Sequence, residues 1–564
     1  MLRVQLRKLR GPGYVAAVLF PLATGIVFGQ AQAATIAAKS VSFPDVESAV
    51  VNAKDGDTVT VPAGTATWVS PLNIVNNITL QGAGEAATVI VDGIPHGQSD
   101  QAGDSERGRP APRQSSRPEK ERKIRGAKGG EVSGVARARG HKRAGSLILA
   151  NLERDLPFRL TGFTFRGNGE QRGNFNGEIR VDGNSHAFRI DHCTFDQLPG
   201  LSLGVSGFLW GVIDHCRFNL NGRQPMHISH QTWGGKDHGN GSWADDPFWG
   251  SEKFVFIEDN VFENIGKKKA IDAYEGARFV VRHNQFHNCG LSMHGTEASG
   301  RGGKQVEEYN NTYRNDDGAP AEQIRSGCII THDNTWNDAE RGHVLQVYRL
   351  FAYPQHWGYC NGENPYDDNA PNGATGYWAT GTHTGASGAT VLTDATKNWE
   401  HNQWYQPGAV YIVRNKTFEA AATNMIDKVP ALIISNTAHS LMGSPRNHKA
   451  PAFGGTGRPL TFNTGDTYEI WKVAHALDQP GLGRGDLLTG LPGRPAKWPH
   501  EVSEPCYSWN NKLGSGAAVN LSSTEPCIEE GRDFFNGTPK SGYKPFIYPH
   551  PLVSAASAPE ARSR

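Results

Sequence analysis

Between positions 267 and 301 the sequence gathers side chains that move protons and carry charge: Lys267, Lys268, Lys269, Asp272, Tyr274, Glu275, Arg282, His283, His294, Glu297 and Arg301. Such a set suits chemistry on acidic sugars. Removing the weakly acidic proton beside a uronate carboxylate requires that carboxylate to be neutralised, by Arg or Ca2+, while a positioned base takes the proton. In that reading Asp272, Glu275 and Glu297 hold calcium or sugar hydroxyls, His294 or Tyr274 is the base, and Arg282 or Arg301 faces the uronate. Calcium is the one cofactor it invokes. A second reading is glycoside hydrolysis by two carboxyls drawn from Asp245, Asp246, Asp272, Glu275 and Glu297, with Trp243 and Trp249 as sugar-stacking platforms. A third is a surface that binds glycan or protein without catalysis, its charged turns being solvated corners.

What must position these residues is a repeat. Six segments share apolar alternation, a polar pair, an Asn or Cys, one free residue and an aromatic, as in Arg189-Ile-Asp-His-Cys-Thr-Phe195 and Val212-Ile-Asp-His-Cys-Arg-Phe218. One register holds Cys193, Cys216, Asn260, Asn284, Asn311 and Asn334; the other holds Phe195, Phe218, Phe262, Phe286, Tyr313 and Trp336. Steps in the first register are 23, 44, 24, 27 and 23 residues, the long one being a repeat plus an insertion. A period of that length made of short β-segments predicts a parallel β-solenoid, because a single coil cannot bury its own inward face. Stacking at about 4.8 Å puts ring over ring and amide over amide. Corresponding turns of neighbouring coils then lie about 5 Å apart and those of next-nearest coils about 10 Å, which brings the charged turns together. Before the first coil, Asp45 is expected to cap a short helix with Val46, Ala49, Val50 and Ala53 on one face, covering the open end of the stack.

The opening Val46–Gly64, the run Ile78-Thr-Leu-Gln-Gly-Ala-Gly84 and the pair Ile190-Asp-His192 and Ile213-Asp-His215 resemble the right-handed parallel β-helix, pectate-lyase-like superfamily. The likeness covers roughly residues 40–350 and a C-terminal return. It implies an all-β, right-handed parallel β-helix of polysaccharide lyase or glycoside hydrolase type. The expected substrate is a polysaccharide, preferably acidic.

Composition agrees with an elongated β fold. Gly contributes 67 and Pro 33 of 564 residues against only 5 Met, which argues against helical bundles. The net charge of +1 conceals three zones: +4 over residues 1–33, +7 over 97–145 (13 basic, 6 acidic), and −10 over the rest. A body of that sign is poorly suited to nucleic acid, whose binding draws on phosphate neutralisation.

Residues 1–33 read as a signal peptide: Arg3, Arg7, Lys8 and Arg10, an apolar stretch from Tyr14 to Phe28, then Ala31-Gln32-Ala33. Fifteen residues containing Pro21 are short for a bilayer span. The mature chain is therefore expected to begin near Ala34, to carry no membrane span, and to act as a secreted or periplasmic monomer. Export permits disulfides, and Cys506 with Cys527 is the preferred pair among seven cysteines.

The remaining organisation follows from composition. Residues 34–96 form the cap and first coils; 97–145 are a basic, disordered insertion; 146–350 continue the β-helix. Within it, 219–250 form an insertion holding His227, His230 and His238, in which His227-x-x-His230 is a weak zinc pattern lacking a third ligand. Residues 351–372 connect to a small inserted β-barrel or sandwich at 373–476, with strand-like runs around Val391, Val410–Val413, Leu432–Ser435, Leu460–Phe462 and Tyr468–Trp471. Residues 477–552 supply a last coil and a C-terminal wrap, and 553–564 a tail.

Overall fold

The short alternating runs form three parallel sheets that wind around one axis, so the chain is a parallel β-helix. The computed structural model describes residues 33–95, 145–169, 177–219, 224–263, 265, 269–295, 301–316, 322–337, 342–345, 377–406, 410–422, 430–443, 459–473, 478, 480–484, 502–523 and 528–555. Each coil adds one strand to each face. The coil at Arg278–Arg282, Gln285–His287 and Gly290–Met293 shows the order: first, second, third face. The second face is a ten-stranded sheet running from Gly64–Trp68 to Lys512–Leu513. The first and third faces are joined into one sheet by Ile179–Asp191, which pairs on the third face over Ile179–Gly183 and on the first over Asn184–Asp191.

Sequence dictates the corners. Where the first face turns into the second, one residue per coil takes a left-handed backbone: His192, His215, Asp259, His283, Asn310, Asp333 and Asn510, with φ between 48° and 57°. Short polar side chains tolerate that region best. The next residue points inward, and from Asn260 onward its amide builds a ladder. The backbone N–H groups of Asn260, Asn284, Asn311 and Asn334 each donate to the Oδ1 of the Asn one coil on, at 2.9 to 3.0 Å, ending on Asn511. Two residues later the rings stack, with centroids 4.6 to 4.8 Å apart from Phe195 through Phe218, Phe262, Phe286 and Tyr313 to Trp336. Both registers expected from sequence run down the axis.

Helix Phe43–Asn52 covers the N-terminal end and buries Val46, Ala49 and Val50. Asp45 does not cap it; Ser42 occupies the N-cap, and the Asp45 carboxylate accepts from the hydroxyls of Ser40 and Ser42. Beyond strand His343–Leu345 an antiparallel six-stranded sheet precedes the last full coil, in the order Ala379–Thr382, Thr467–Val473, Val410–Asn415, Ala431–Asn436, Ser440–Gly443, Val391–Thr393. Thr384 N–H donates to Thr393 O at 2.7 Å and brings the two edges together. Leu460–Phe462 makes only a bridge to Ala389, because Asp466 and Asn463 fold that stretch into a turn. Cys506–Trp509, Lys512–Leu513 and Leu521–Ser523 then complete the last coil.

The C-terminal segment crosses the outside of the first face. Its Phe546, Leu552 and Val553 pack on an apolar stripe made by Val212, Phe254, Phe256, Val280 and Tyr309. Cys193, Cys216, Cys289, Cys328 and Cys506 are buried free thiols; Cys527, the expected partner of Cys506, lies outside the described residues, as do residues 1–32 and 96–144. Among the described residues no helix is long and apolar enough to cross a membrane.

Candidate functional site

On the third face, alternation sends every second side chain outward. One outward column is Arg180, Gly204, His227, Asp272, Ser292 and Gln323, successive Cα partners from strand to strand. Two residues further along each strand lies a second column, in which Tyr274 pairs with Ser229 and is followed on the next two coils by His294 and Arg325. The inward positions between them are Val181, Val205, Ile228, Ala273, Met293 and Ile324, all sealed in the core. Parallel stacking thus collects His227, Asp272, Tyr274, His294 and Arg325 from four consecutive coils onto one strip.

Asp272 is its centre. The guanidinium of Arg325 lies 3.5 Å from its Oδ1 and donates to Ser292 Oγ at 2.9 Å. Burial opposes ionisation of Asp272, yet His294, Arg325, His227 and the Ser292 hydroxyl together hold its carboxyl below the usual range. The His227 and Tyr274 rings meet edge to face at 5.4 Å. Burial, with Glu275 adding to it, pushes the Tyr274 phenol well above its ordinary value, so it stays protonated. An antiparallel bridge joins Tyr274 to Gly302. Towards the N-terminal coils Arg180 donates to Asp182 at 2.8 Å. Of the Lys267–Lys269 run only Lys269 is described, and burial pushes its amine down to about 8.

Several expected site residues lie elsewhere. Arg282 projects from the first face, fully buried, pairs with Glu258 and donates to the carbonyls of Phe546 and Ile547. It fastens the C-terminal segment and does not meet solvent. Arg301 is equally buried, paired with Asp478, its guanidinium 4.4 Å over the Trp243 ring. Neither faces a substrate, because the carboxylates of Glu258 and Asp478 hold them inside. Trp243 is no stacking platform either: it is buried and donates to Gly302 O at 2.9 Å. Trp249 is half-buried on the core and donates to Glu504 at 2.7 Å. Asp245 accepts from Trp233, and Asp246 is exposed beside it on the same loop. Glu275 occupies a left-handed corner just past Tyr274, and Glu297 lies outside the described residues.

His227 and His230 do not form a zinc pair. His230 is buried, its Nδ1 accepts from Arg278 N–H at 3.0 Å, and its Nε2 sits 2.6 Å from Leu209 O. Burial pushes it down to about 3, so it is neutral and fully engaged. His227 belongs to strand Met226–Ser229, and the insertion proper begins after it. Sequence reasoning missed Arg325, Ser292 and the place of His227. The first column falls nine, nine, ten, six and ten residues after the rings of Phe195, Phe218, Phe262, Phe286 and Tyr313. Counting from each ring would have pointed to the right stretch, but not to the right residue.

No protein-family model matches the chain, and no curated protein matches it. Among solved structures it is similar to an alginate lyase from Paenibacillus sp. strain FPU-7, at 13% identity and a TM-score of 0.31, over 55% of this chain and 97% of that one.

Proposed function

We propose that this chain is an exported, monomeric enzyme that cleaves an acidic polysaccharide by β-elimination on the strip of the third face. One observation carries the reading: a single ionised carboxylate, Asp272, ringed by Arg325, His227, His294 and the protonated Tyr274. Hydrolysis by a carboxyl pair calls for a second acid free to face it across the sugar. Of the other described acids nearby, Asp182 is held by Arg180, Asp245 is bonded on its loop, and Glu275 is buried at the corner past Tyr274.

The elimination balances with these groups. Arg325 offsets the uronate carboxylate and so lowers the cost of charge developing at the neighbouring carbon. An imidazole, His294 or His227, takes that carbon's proton, the electron pair forms the new double bond, and the glycosidic C–O bond breaks. Tyr274, kept protonated, gives its proton to the departing oxygen. Asp272 orients the imidazoles. Calcium on Asp272 and Glu275 takes no step here, because Arg325 and the imidazoles already compensate Asp272. The interstrand spacing, close to the length of one pyranose, suits a chain lying along the axis with one sugar per coil.

The test is a panel of uronate polymers. Turnover should release products with the ultraviolet absorbance of an unsaturated uronate and be indifferent to chelator. Arg325→Ala, and the variant that combines His227→Ala with His294→Ala, should each lower it at least about a hundredfold. New reducing ends without that absorbance would mean hydrolysis instead, and binding without products would mean a glycan-binding surface.

A further inference from the structure

The interior of the β-helix breaks its own rule over two adjoining coils. Along the first face the inward column reads Leu160, Ile190, Ile213, Ile257 and Val281, and then Glu308, Thr331 and Ser508. Along the third it reads Ile148, Ile179, Leu203, Met226, Ile271 and Leu291, then Glu322 and His343, before returning to Leu521. On the second face the ring of the Glu308 coil is Tyr313 instead of Phe, and its hydroxyl donates to Glu308. Three columns, one on each face, exchange apolar side chains for polar ones where they meet. Burying two carboxylates costs several kcal/mol each unless something compensates them.

Geometry shows what is missing. His343 Nε2 lies 2.6 Å from Glu308 Oε2 and 2.5 Å from Glu322 Oε2, and all three side chains are at least nine-tenths buried. One imidazole nitrogen carries one proton, so it cannot serve both oxygens, and Glu322 Oε2 has no hydrogen-bond donor. The site is also built to hold Glu322. Its Oε1 accepts from Leu291 N–H at 3.0 Å. Gly290 lies beneath it, where a Cβ would come within 2.2 Å of Oε1 and 2.8 Å of Cγ. Only glycine leaves that carboxylate room.

We propose that Glu308, Glu322 and His343 form a structural site for a divalent transition-metal ion, of which Zn2+ is the representative, inside the β-helix. Two carboxylates and a neutral imidazole balance a divalent charge, and nitrogen with oxygen donors suits zinc. One potential ligand atom from each residue lies within 4.8 Å of the others. Tyr313 holds the second oxygen of Glu308, the kind of outer contact that fixes a ligating carboxylate. The position explains the purpose. His343–Leu345 is the last strand before the chain leaves for the antiparallel sheet, and the next first-face strand is Cys506–Trp509. A metal joining the first face to the third would lock the coil that must wait for its neighbour. This site is independent of the chemistry proposed for the outer strip.

The test is metal analysis of the full chain, purified without chelator, followed by refolding with EDTA and titration with Zn2+. About one zinc per chain is expected, with a melting temperature that falls by several degrees on removal and recovers with zinc. Glu322→Gln and His343→Gln should lose both the metal and the zinc-dependent rise, while Tyr313→Phe keeps them. If the single variants fail to fold, Glu308→Val with Glu322→Leu and His343→Leu restores the apolar columns and should fold without responding to zinc. A wild-type chain that holds no metal and ignores zinc would overturn the proposal in favour of a proton shared among the three groups. An equal zinc response in Glu322→Gln would overturn it as surface binding.

Discussion

Tyr274 and Asn311 show the two demands a single residue meets in this fold, one outward and one inward. The Tyr274 ring meets His227 edge to face and its backbone pairs with Ser229 and bridges to Gly302, and none of these contacts uses the hydroxyl. Tyr274→Phe should therefore leave the melting temperature unchanged. If the phenol delivers the proton to the departing oxygen, kcat falls about a hundredfold or more while KM moves by no more than about twofold. A change in KM alone would make Tyr274 a binding group. Asn311 is the opposite case. Its Oδ1 accepts from the backbone N–H of Asn284 at 2.9 Å and from that residue's amide at 3.0 Å, while its own amide donates to Val281 O and Asn334 Oδ1, both at 2.9 Å. Asn311→Ala strands buried groups on both sides. At about 1–3 kcal/mol for each unsatisfied group, the loss should reach about 3–5 kcal/mol. Denaturant unfolding measures it, and a loss below about 1 kcal/mol would mean that the ladder contributes register rather than stability.

Among the elements, the C-terminal segment has a pH dependence of its own. It is fastened by Tyr543, whose hydroxyl donates to Glu307 at 2.6 Å, and Glu307 also accepts from Gly250 N–H at 2.7 Å. Burial drives the Glu307 carboxyl up from 4.5 to about 7, with those two donors and Arg282 pulling the other way. An acid whose folded pKa is raised favours the fold while protonated. Its contribution is complete below about pH 4.5 and is lost as pH climbs through about 7. That amounts to roughly 3 kcal/mol across the window. Glu307→Gln keeps a neutral group in place, so the variant should lose less stability than wild type between about pH 5 and 8. Melting curves across that range give the comparison, and equal slopes would remove Glu307 as the cause. The burial of Arg282 belongs to the same element, since its hydrogen bonds to Phe546 O and Ile547 O hold the segment's backbone.

At the scale of the molecule, what the sequence made legible and what it hid have one cause. The ring and Asn registers follow corners of fixed geometry, so their spacing shows in the chain. The outward columns of the third face come after turns of variable length, so Arg325 and His227 carry no periodic mark. Arg282 and Arg301 looked reactive because charge is visible in a sequence, whereas Glu258 and Asp478, which bury them, lie 24 and 177 positions away. The same independence of coil from turn governs insertions. Thr88–Asp92 on the second face and Ile148–Leu152 on the third belong to one coil, and both pair with the coils around them through Gly64–Trp68, Thr164–Arg166, Leu72–Ile74 and Ile179–Gly183. Elsewhere this corner is crossed in two residues, from His287 to Gly290. Replacing 97–145, expected from composition to be disordered, with a short Gly-Ser turn should keep the coil in register. Closing a loop of about four residues instead of about fifty saves roughly three to four doublings of length, or about 2 kcal/mol. The shortened chain should melt slightly higher and degrade the same polymer at the same rate. A lower melting temperature would show that the basic segment packs on the β-helix, and a loss of turnover on acidic polymers alone would show that its positive charge recruits them.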